Sequence, residues 1–96
     1  MEKEMLAIAF FKEGEGLFEK FMGFMQSEEG LAERRKVADL TKTLGTVSPD
    51  KSAVMFKISV HDEVALRSFM DGSNPVSKPI WDEVMISYEI FELSKV

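Results

Sequence analysis

The sequence contains no cysteine in its 96 residues. This absence excludes disulfide bridges, thiolate metal sites and cysteine nucleophiles together. Small secreted domains commonly depend on disulfides for stability, so a chain without them favours a reducing compartment. We therefore expect a cytoplasmic protein.

The sequence also lacks a long hydrophobic run. The apolar stretch at residues 5–11 has the length of a strand, whereas a membrane-spanning helix needs about 20 apolar residues. Residues 1–5 contain no basic segment leading into an apolar core, which is the pattern of a signal peptide. We expect neither a signal peptide nor a membrane partner. With 45% hydrophobic residues, the chain is predicted to form one domain over residues 1–96.

Positive charge is scarce overall, and the net charge is −5. This balance argues against a nucleic-acid partner. Residues 34–57 differ, because they hold six bases and only two acids. The six bases are Arg34, Arg35, Lys36, Lys42, Lys51 and Lys57. The stretch is interpreted as a solvated surface, as an anion-accepting patch, or as a basic face that meets an acidic one across a dimer interface.

Four segments have the composition and alternation of β-strands. The first is a short apolar run that we expect to be buried on both faces. The second and third flank a Ser-Pro-Asp-Lys turn at residues 48–51, which predicts an antiparallel hairpin. The predicted strands cover residues 5–12, 40–47, 53–60 and 84–93.

Helical spacing of apolar residues appears between the first two strands and again between the last two. Glycine and proline mark where these segments end or begin. The first predicted helix begins at Leu17 and is ended or kinked by Gly30, and a second covers residues 31–36. A third follows a capping-box pattern at Ser59–Asp62 and runs to about Asp71. A short fourth helix starts at Asn74-Pro75, and Pro79 limits its length.

The order β-α-β-β-α-β predicts an α+β, ferredoxin-like domain with a four-stranded antiparallel sheet and helices on one face. The strands are apolar on both faces, as Phe10 with Phe11 and Ile90 with Phe91 show. A bare sheet face this apolar is larger than a soluble monomer usually tolerates. We expect a second copy to cover it in a homodimer. The alternative is cover by the chain's own segment 28–39.

Three stretches carry a resemblance to a known superfamily. They are Val54–Ile58, the acidic helix start and "Leu-Arg-x-Phe" pattern in His61–Met70, and Trp81–Phe91. In type and spacing they resemble the dimeric α/β-barrel superfamily, and within it the small bacterial families without an assigned function. The resemblance implies ferredoxin-like domains whose two sheets form a barrel across the dimer.

The superfamily includes cofactor-free monooxygenases of polyketide and quinol pathways, isomerases, stress-induced proteins and haem-degrading monooxygenases. The haem-degrading members use an asparagine on the first strand and a histidine along a helix. Here the first strand has no asparagine, and the only histidine, His61, stands at a helix start. The resemblance therefore implies no haem, and we expect no cofactor.

His61 is a candidate general base, and its alternative role is that of an ordinary surface loop residue. A metal site would need carboxylates such as Asp62 and Glu63, which are adjacent and diverge on a helix. We predict no metal site.

Two charged residues lie within apolar strands, Lys57 and Glu89. Alternation places them on the side of Met55 and Phe91, facing the barrel. They are interpreted as ligand-site residues and candidate acid–base groups, or as an ion pair across strands or at the dimer interface. The predicted ligand-binding residues are Met55, Lys57, Ser87, Glu89, Phe91 and Trp81, and the catalytic candidates are His61, Lys57 and Glu89.

No catalytic signature stands out in the sequence, so whether the protein is an enzyme is left open. We expect a small homodimer that binds a small apolar or aromatic molecule in a pocket between the sheet and the helices. One alternative is a cofactor-independent monooxygenase or isomerase of the antibiotic-biosynthesis-monooxygenase type. Another is a structural or regulatory dimer without a ligand.

Overall fold

The structure is a computed structural model that describes residues 2–96, so Met1 lies outside the described residues. Its strands are β1 (Lys3–Phe11), β2 (Leu44–Val47), β3 (Ala53–Val60) and β4 (Met85–Glu92). Its helices are α1 (Leu17–Met25), α2 (Glu28–Val37), α3 (Glu63–Asp71) and α4 (Lys78–Val84), with a 3-10 turn at Leu40–Lys42. The sheet is antiparallel throughout, in the order β2-β3-β1-β4.

Local capping explains where the longer helices begin and end. Ser27 caps α2, because its hydroxyl accepts a hydrogen bond from the Gly30 backbone N–H at 3.0 Å. Asp62 caps α3 in the same way, accepting from the Ala65 N–H at 3.0 Å. The predicted capping box is therefore displaced, since Asp62 is the capping residue itself. Gly72 ends α3 with a φ of 88°, a left-handed conformation that glycine adopts without strain.

Gly30 does not end or kink the first helix, because α1 ends at Met25 and Gly30 lies in the first turn of α2. Two other predicted boundaries are wrong for identifiable reasons. Residues 40–42 form a 3-10 turn and not the start of β2, because the Asp39 carboxylate accepts hydrogen bonds from the Thr41 backbone N–H at 2.9 Å and from its hydroxyl at 2.7 Å. This local bonding competes with strand pairing. Pro79 does not limit the last helix but stands in its first turn, where a missing N–H has no cost.

The core lies between the sheet and the helix layer. Alternate residues of β1, from Met5 to Phe11, point into it and are buried. Trp81 of α4 is also buried, stacking on Phe21 at a ring-centroid distance of 5.0 Å and meeting Phe69 edge-on at 5.4 Å. Its indole N–H donates to the backbone carbonyl of Phe69. The helices α1, α3 and α4 are thereby joined above the sheet.

The segment 28–39 belongs to the same helix layer. Helix α2 packs against α1 and α3, and its last residue, Val37, is buried in the core with Ala38. The segment therefore does not cover the opposite face of the sheet, which rules out one of the two predicted arrangements. No helix within residues 2–96 is long and apolar enough to span a membrane.

Candidate functional site

The face of the sheet opposite the helices is covered by no helix of the described chain. Cross-strand partners point to the same side of a sheet, so the strand pairing fixes which residues share this face. Leu6 pairs with Lys57 and Phe91, and Ile8 pairs with Met55 and Glu89. We call this surface the open face; it carries Glu4, Leu6, Ile8, Phe10, Leu44, Thr46, Met55, Lys57, Ser87, Glu89 and Phe91.

The open face is apolar and accessible at its centre. The side chains of β1 on this face, Leu6, Ile8 and Phe10, are half-buried. Around them Met55 is 40% exposed and Phe91 47% exposed. Exposed large apolar side chains grouped on one surface are typical of an interaction site.

Lys57 and Glu89 lie on the open face on either side of β1, as the alternation predicts. Lys57 does not pair with Glu89, because its ammonium nitrogen lies 3.6 Å from a carboxylate oxygen of Glu4 on β1. Both side chains of this pair are more than half exposed, so the pair stabilises the isolated chain by about 0–1 kcal/mol. Glu89 forms no ion pair within residues 2–96.

Five of the six predicted ligand-binding residues share the open face, and Trp81 does not. Met55, Lys57, Ser87, Glu89 and Phe91 lie there together. Trp81 lies on the other side of the sheet, 4% exposed, with its indole N–H bonded within the core. Its surroundings are those of a packing residue.

His61 is remote from Lys57 and Glu89. It lies in the loop between β3 and α3, where its Nε2 is 2.9 Å from the carbonyl oxygen of Arg35. Because a carbonyl oxygen only accepts, Nε2 carries the hydrogen and acts as the donor. The His61 backbone N–H also donates, at 3.0 Å, to the carbonyl of Val37. His61 therefore ties this loop to the end of α2, and the three catalytic candidates do not form one site.

A separate cavity of about 50 Å³ lies between the sheet and the helices. We call it the sheet–helix cavity. Its lining side chains come from β1, β3, α1, α2, α3 and the segment 38–43, and nearly all are apolar. The lining residues are Ala7, Met25, Arg34, Val37, Ala38, Leu40, Thr43, Phe56, Ile58, Leu66, Phe69 and Met70. The polar side chains among them are Arg34 and Thr43.

The residues predicted to bind a ligand do not line the sheet–helix cavity. We expected a pocket between the sheet and the helices, but five of the residues assigned to it lie on the open face and Trp81 lies in the core. One signal was available: β1 carries two small inward residues, Ala7 and Ala9, between Met5 and Phe11, and Ala7 lines the cavity. A small side chain on a central strand leaves space beneath the helices. The contribution of Arg34, from the basic stretch 34–57, depends on how α2 folds back and has no local signature.

The basic stretch itself is dispersed in the structure. Four of its six cations form ion pairs with acids from elsewhere in the chain or from the same helix. These are Lys36 with Glu33, Lys42 with Glu2, Lys51 with Glu19, and Lys57 with Glu4. These four cations are therefore already paired with carboxylates, although each pair is exposed to solvent.

The fold is shared with solved structures of low sequence identity. A protein from Bacteroides thetaiotaomicron, provisionally named an antibiotic biosynthesis monooxygenase, has a TM-score of 0.60 and 15% identity, over 99% of this chain and 90% of its own. A dimeric ferredoxin-like protein of unknown function from Jannaschia sp. has a TM-score of 0.56 and 15% identity, over 96% of this chain and 98% of its own. The chain has a ferredoxin-like fold.

A third structure with this ferredoxin-like fold, from Pseudomonas aeruginosa, has a TM-score of 0.61 and 11% identity, over 99% of this chain and 94% of its own. No protein-family model and no curated protein matches the chain. The predicted ferredoxin-like fold is confirmed. Because a fold hosts many unrelated activities, function has to be argued from the sites.

Proposed function

We propose that this ferredoxin-like domain is a homodimeric binding protein that takes a small apolar or aromatic molecule into the sheet–helix cavity. The observation that carries the proposal is the cavity itself: an apolar space between the sheet and the helices, with two polar side chains on its wall. Ligand sites in proteins commonly combine an apolar lining with a few polar groups that orient the ligand. The absence of cysteine supports a site of action in the cytoplasm.

The size of the cavity sets a condition on binding. Its volume of about 50 Å³ accommodates a few water molecules. An engineered apolar cavity that binds benzene measures roughly 150 Å³. An aromatic ligand therefore requires the wall to move, and the segment 38–43 is the part of the wall with the least regular structure. The expected ligand is small, and its entry should perturb this segment first.

The test is native mass spectrometry of the purified protein, together with binding of benzene-sized ligands followed by nuclear magnetic resonance. We expect a native mass of twice the chain mass, with any excess equal to a retained ligand. Added ligand should shift backbone amide signals of residues 38–43. The variant Ala7→Leu, which fills the cavity, should abolish these shifts. Its control is Ile8→Leu, the next residue of β1, whose side chain lies on the open face.

Two results would contradict the binding function. One is a panel of small aromatic molecules that produces no shift at residues 38–43. The other is an Ala7→Leu variant that binds as well as the wild type, because the ligand would then lie elsewhere.

The homodimer is proposed to form through the open face. The apolar side chains at its centre have no cover within residues 2–96, and two-fold packing of a second copy supplies it. The Jannaschia protein with the same fold is described as dimeric, which supports this arrangement. A two-fold axis parallel to β1 lays β3 of one copy over β4 of the other. Lys57 then lies near Glu89 of the partner subunit, and each charge gains a counterion.

A second candidate function is a cofactor-independent monooxygenase, favoured by the provisional name of the Bacteroides protein. Its catalytic groups would be Lys57 or Glu89 at the dimer interface, since His61 lies apart from both. The test is oxygen uptake with hydroxyquinol and anthrone-like substrates, compared between wild type and Lys57→Ala or Glu89→Ala. If both variants consume oxygen as fast as the wild type, the catalytic groups are other residues. If the wild type consumes no oxygen with any of these substrates, the monooxygenase function is contradicted.

A further inference from the structure

Arg34 differs from the other basic residues in its surroundings. Of the twelve Lys and Arg side chains, it is the one that the described structure does not leave exposed, and it lines the sheet–helix cavity. Eight of the twelve form ion pairs, and Arg34 forms none with any carboxylate in residues 2–96. Arg34 is thus a half-buried cation without a counterion.

Two acids near Arg34 in the sequence, Glu33 and Asp39, are engaged elsewhere. Glu33 accepts from the Lys36 ammonium at 2.8 Å and from the Asn74 side-chain amide at 2.9 Å. The Asp39 carboxylate accepts from Thr41. Neither carboxylate is therefore available to neutralise Arg34 unless an existing contact breaks.

The hydrogen bonds of Arg34 are also incomplete. A guanidinium has five N–H donors. One of them, on Nη1, donates to the carbonyl oxygen of Met25 at the end of α1, at 2.8 Å. The others have no acceptor within residues 2–96. Burial lowers the pKa of Arg34, and the adjacent charge of Arg35 lowers it further, yet an arginine stays protonated in proteins. An anion beside it would offset this unfavourable burial.

We propose that Arg34 binds the carboxylate of a small aromatic or aliphatic acid whose apolar body occupies the sheet–helix cavity. The inference rests on the proposed binding function and adds the chemical class of the ligand. A guanidinium matches a carboxylate in geometry, and hydrogen bonds between two charged groups are roughly twice as strong as neutral ones. The apolar lining holds the body of the ligand, and Arg34 selects acids over neutral analogues.

A purely structural role for Arg34 makes a different prediction. If the side chain serves only to hold the Met25 carbonyl, its loss weakens the packing of α1 on α2 but leaves the choice between charged and neutral ligands unchanged. The decisive quantity is therefore the affinity ratio of two ligands of the same shape that differ in charge.

Benzoate and benzamide form such a pair at neutral pH. Their dissociation constants are measured by amide chemical-shift titration for the wild type, Arg34→Gln and Arg35→Gln. Arg35 is the matched control, since it is the next residue, is exposed and does not line the cavity. We expect the wild type and Arg35→Gln to prefer benzoate by roughly tenfold or more, in line with charge-assisted bonding. In Arg34→Gln the ratio should fall to about one.

Each outcome decides between the claims. Equal binding of both ligands at residues 38–43 of the wild type overturns the role of Arg34 and leaves the binding function intact. The role of Arg34 is likewise overturned if Arg34→Gln still prefers benzoate. If the wild type binds neither benzoate nor benzamide, both the binding function and the role of Arg34 are contradicted. If Arg34→Gln does not fold, Arg34→Lys provides the test. Lysine keeps the positive charge but lacks the planar guanidinium that binds a carboxylate with two hydrogen bonds. This variant should therefore retain a preference for benzoate that is weaker than that of the wild type.

Discussion

The two faces of the sheet carry similar kinds of side chain but have different surroundings. In β1 the inward residues Met5, Ala7, Ala9 and Phe11 are buried beneath the helices. The outward residues of the same strand, Leu6, Ile8 and Phe10, are apolar too, yet they are only half-buried. The chain thus places larger side chains at the middle of the face that it leaves open. A stable monomer would gain more by the opposite arrangement, because burial stabilises in proportion to apolar area.

The same alternation accounts for both candidate regions. Small inward residues leave the sheet–helix cavity, which Ala7 lines. Large outward residues create the open face, where a second copy would bury them. One strand therefore lines the proposed ligand site on one side and the proposed subunit interface on the other. Substitutions that affect one face and spare the other test this division of roles.

The largest expected effect is on the helix-covered face. Phe21 is 2% exposed and contacts the rings of Phe11 and Trp81. Replacement of a buried phenylalanine by alanine costs about 3–5 kcal/mol of unfolding free energy, because it removes apolar contacts and leaves a cavity. We expect Phe21→Ala to lower the free energy of unfolding by this amount in chemical denaturation. The loss is a large part of the stability of a domain of this size.

Phe91→Ala on the open face is the matched control, since the substitution is the same. Phe91 is 47% exposed in the isolated chain. The folded monomer should lose much less stability than in Phe21→Ala when both are measured at concentrations below the dimer dissociation constant. Equal losses at both positions would contradict the division into a core face and an interface.

The next effect concerns assembly. Ile8 lies at the centre of the open face, opposite Met55 and Glu89. A lysine at this position would bring an unpaired charge into the proposed interface, where burial of a charge is strongly unfavourable. Ile8→Lys should convert the dimer into a folded monomer, seen as a halved mass in light scattering with an unchanged circular dichroism spectrum. A dimer that survives this change would show that subunits meet on another surface.

Sequence patterns predicted the fold well where a residue's environment follows from its neighbours in the chain. A short apolar run located β1, period-two alternation located β3 and β4, and alternation placed Lys57 and Glu89 on one face. The start of β2 was mispredicted, because side-chain bonds from Asp39 to Thr41 outweigh the β-branched composition.

The site was predicted less well. Trp81 was assigned to ligand binding but packs in the core, and the role of Arg34 depends on the return of α2 against α1.

The smallest expected effect tests the alignment of the two copies through their charges. If Lys57 meets Glu89 of the partner subunit, Lys57→Glu and Glu89→Lys should each raise the dimer dissociation constant by roughly tenfold, since like charges then oppose each other. The double variant reverses both charges and should restore affinity to near the wild-type value. Sedimentation equilibrium of the four proteins at low salt measures this coupling, because screening weakens it at high salt.

The control for this cycle is Glu4→Gln, which removes the carboxylate 3.6 Å from Lys57 within the same chain. It leaves Lys57 and Glu89 in place and should change the dissociation constant little. If the single reversals weaken the dimer but the double variant does not recover, the two charges face other groups, and the axis does not run along β1. A twofold axis perpendicular to the strands, which lays β3 over β3 and can bring Lys57 close to the same strand of the partner subunit, predicts a different result from this one. In that geometry Lys57→Glu alone would have little effect, because one like-charge contact replaces another.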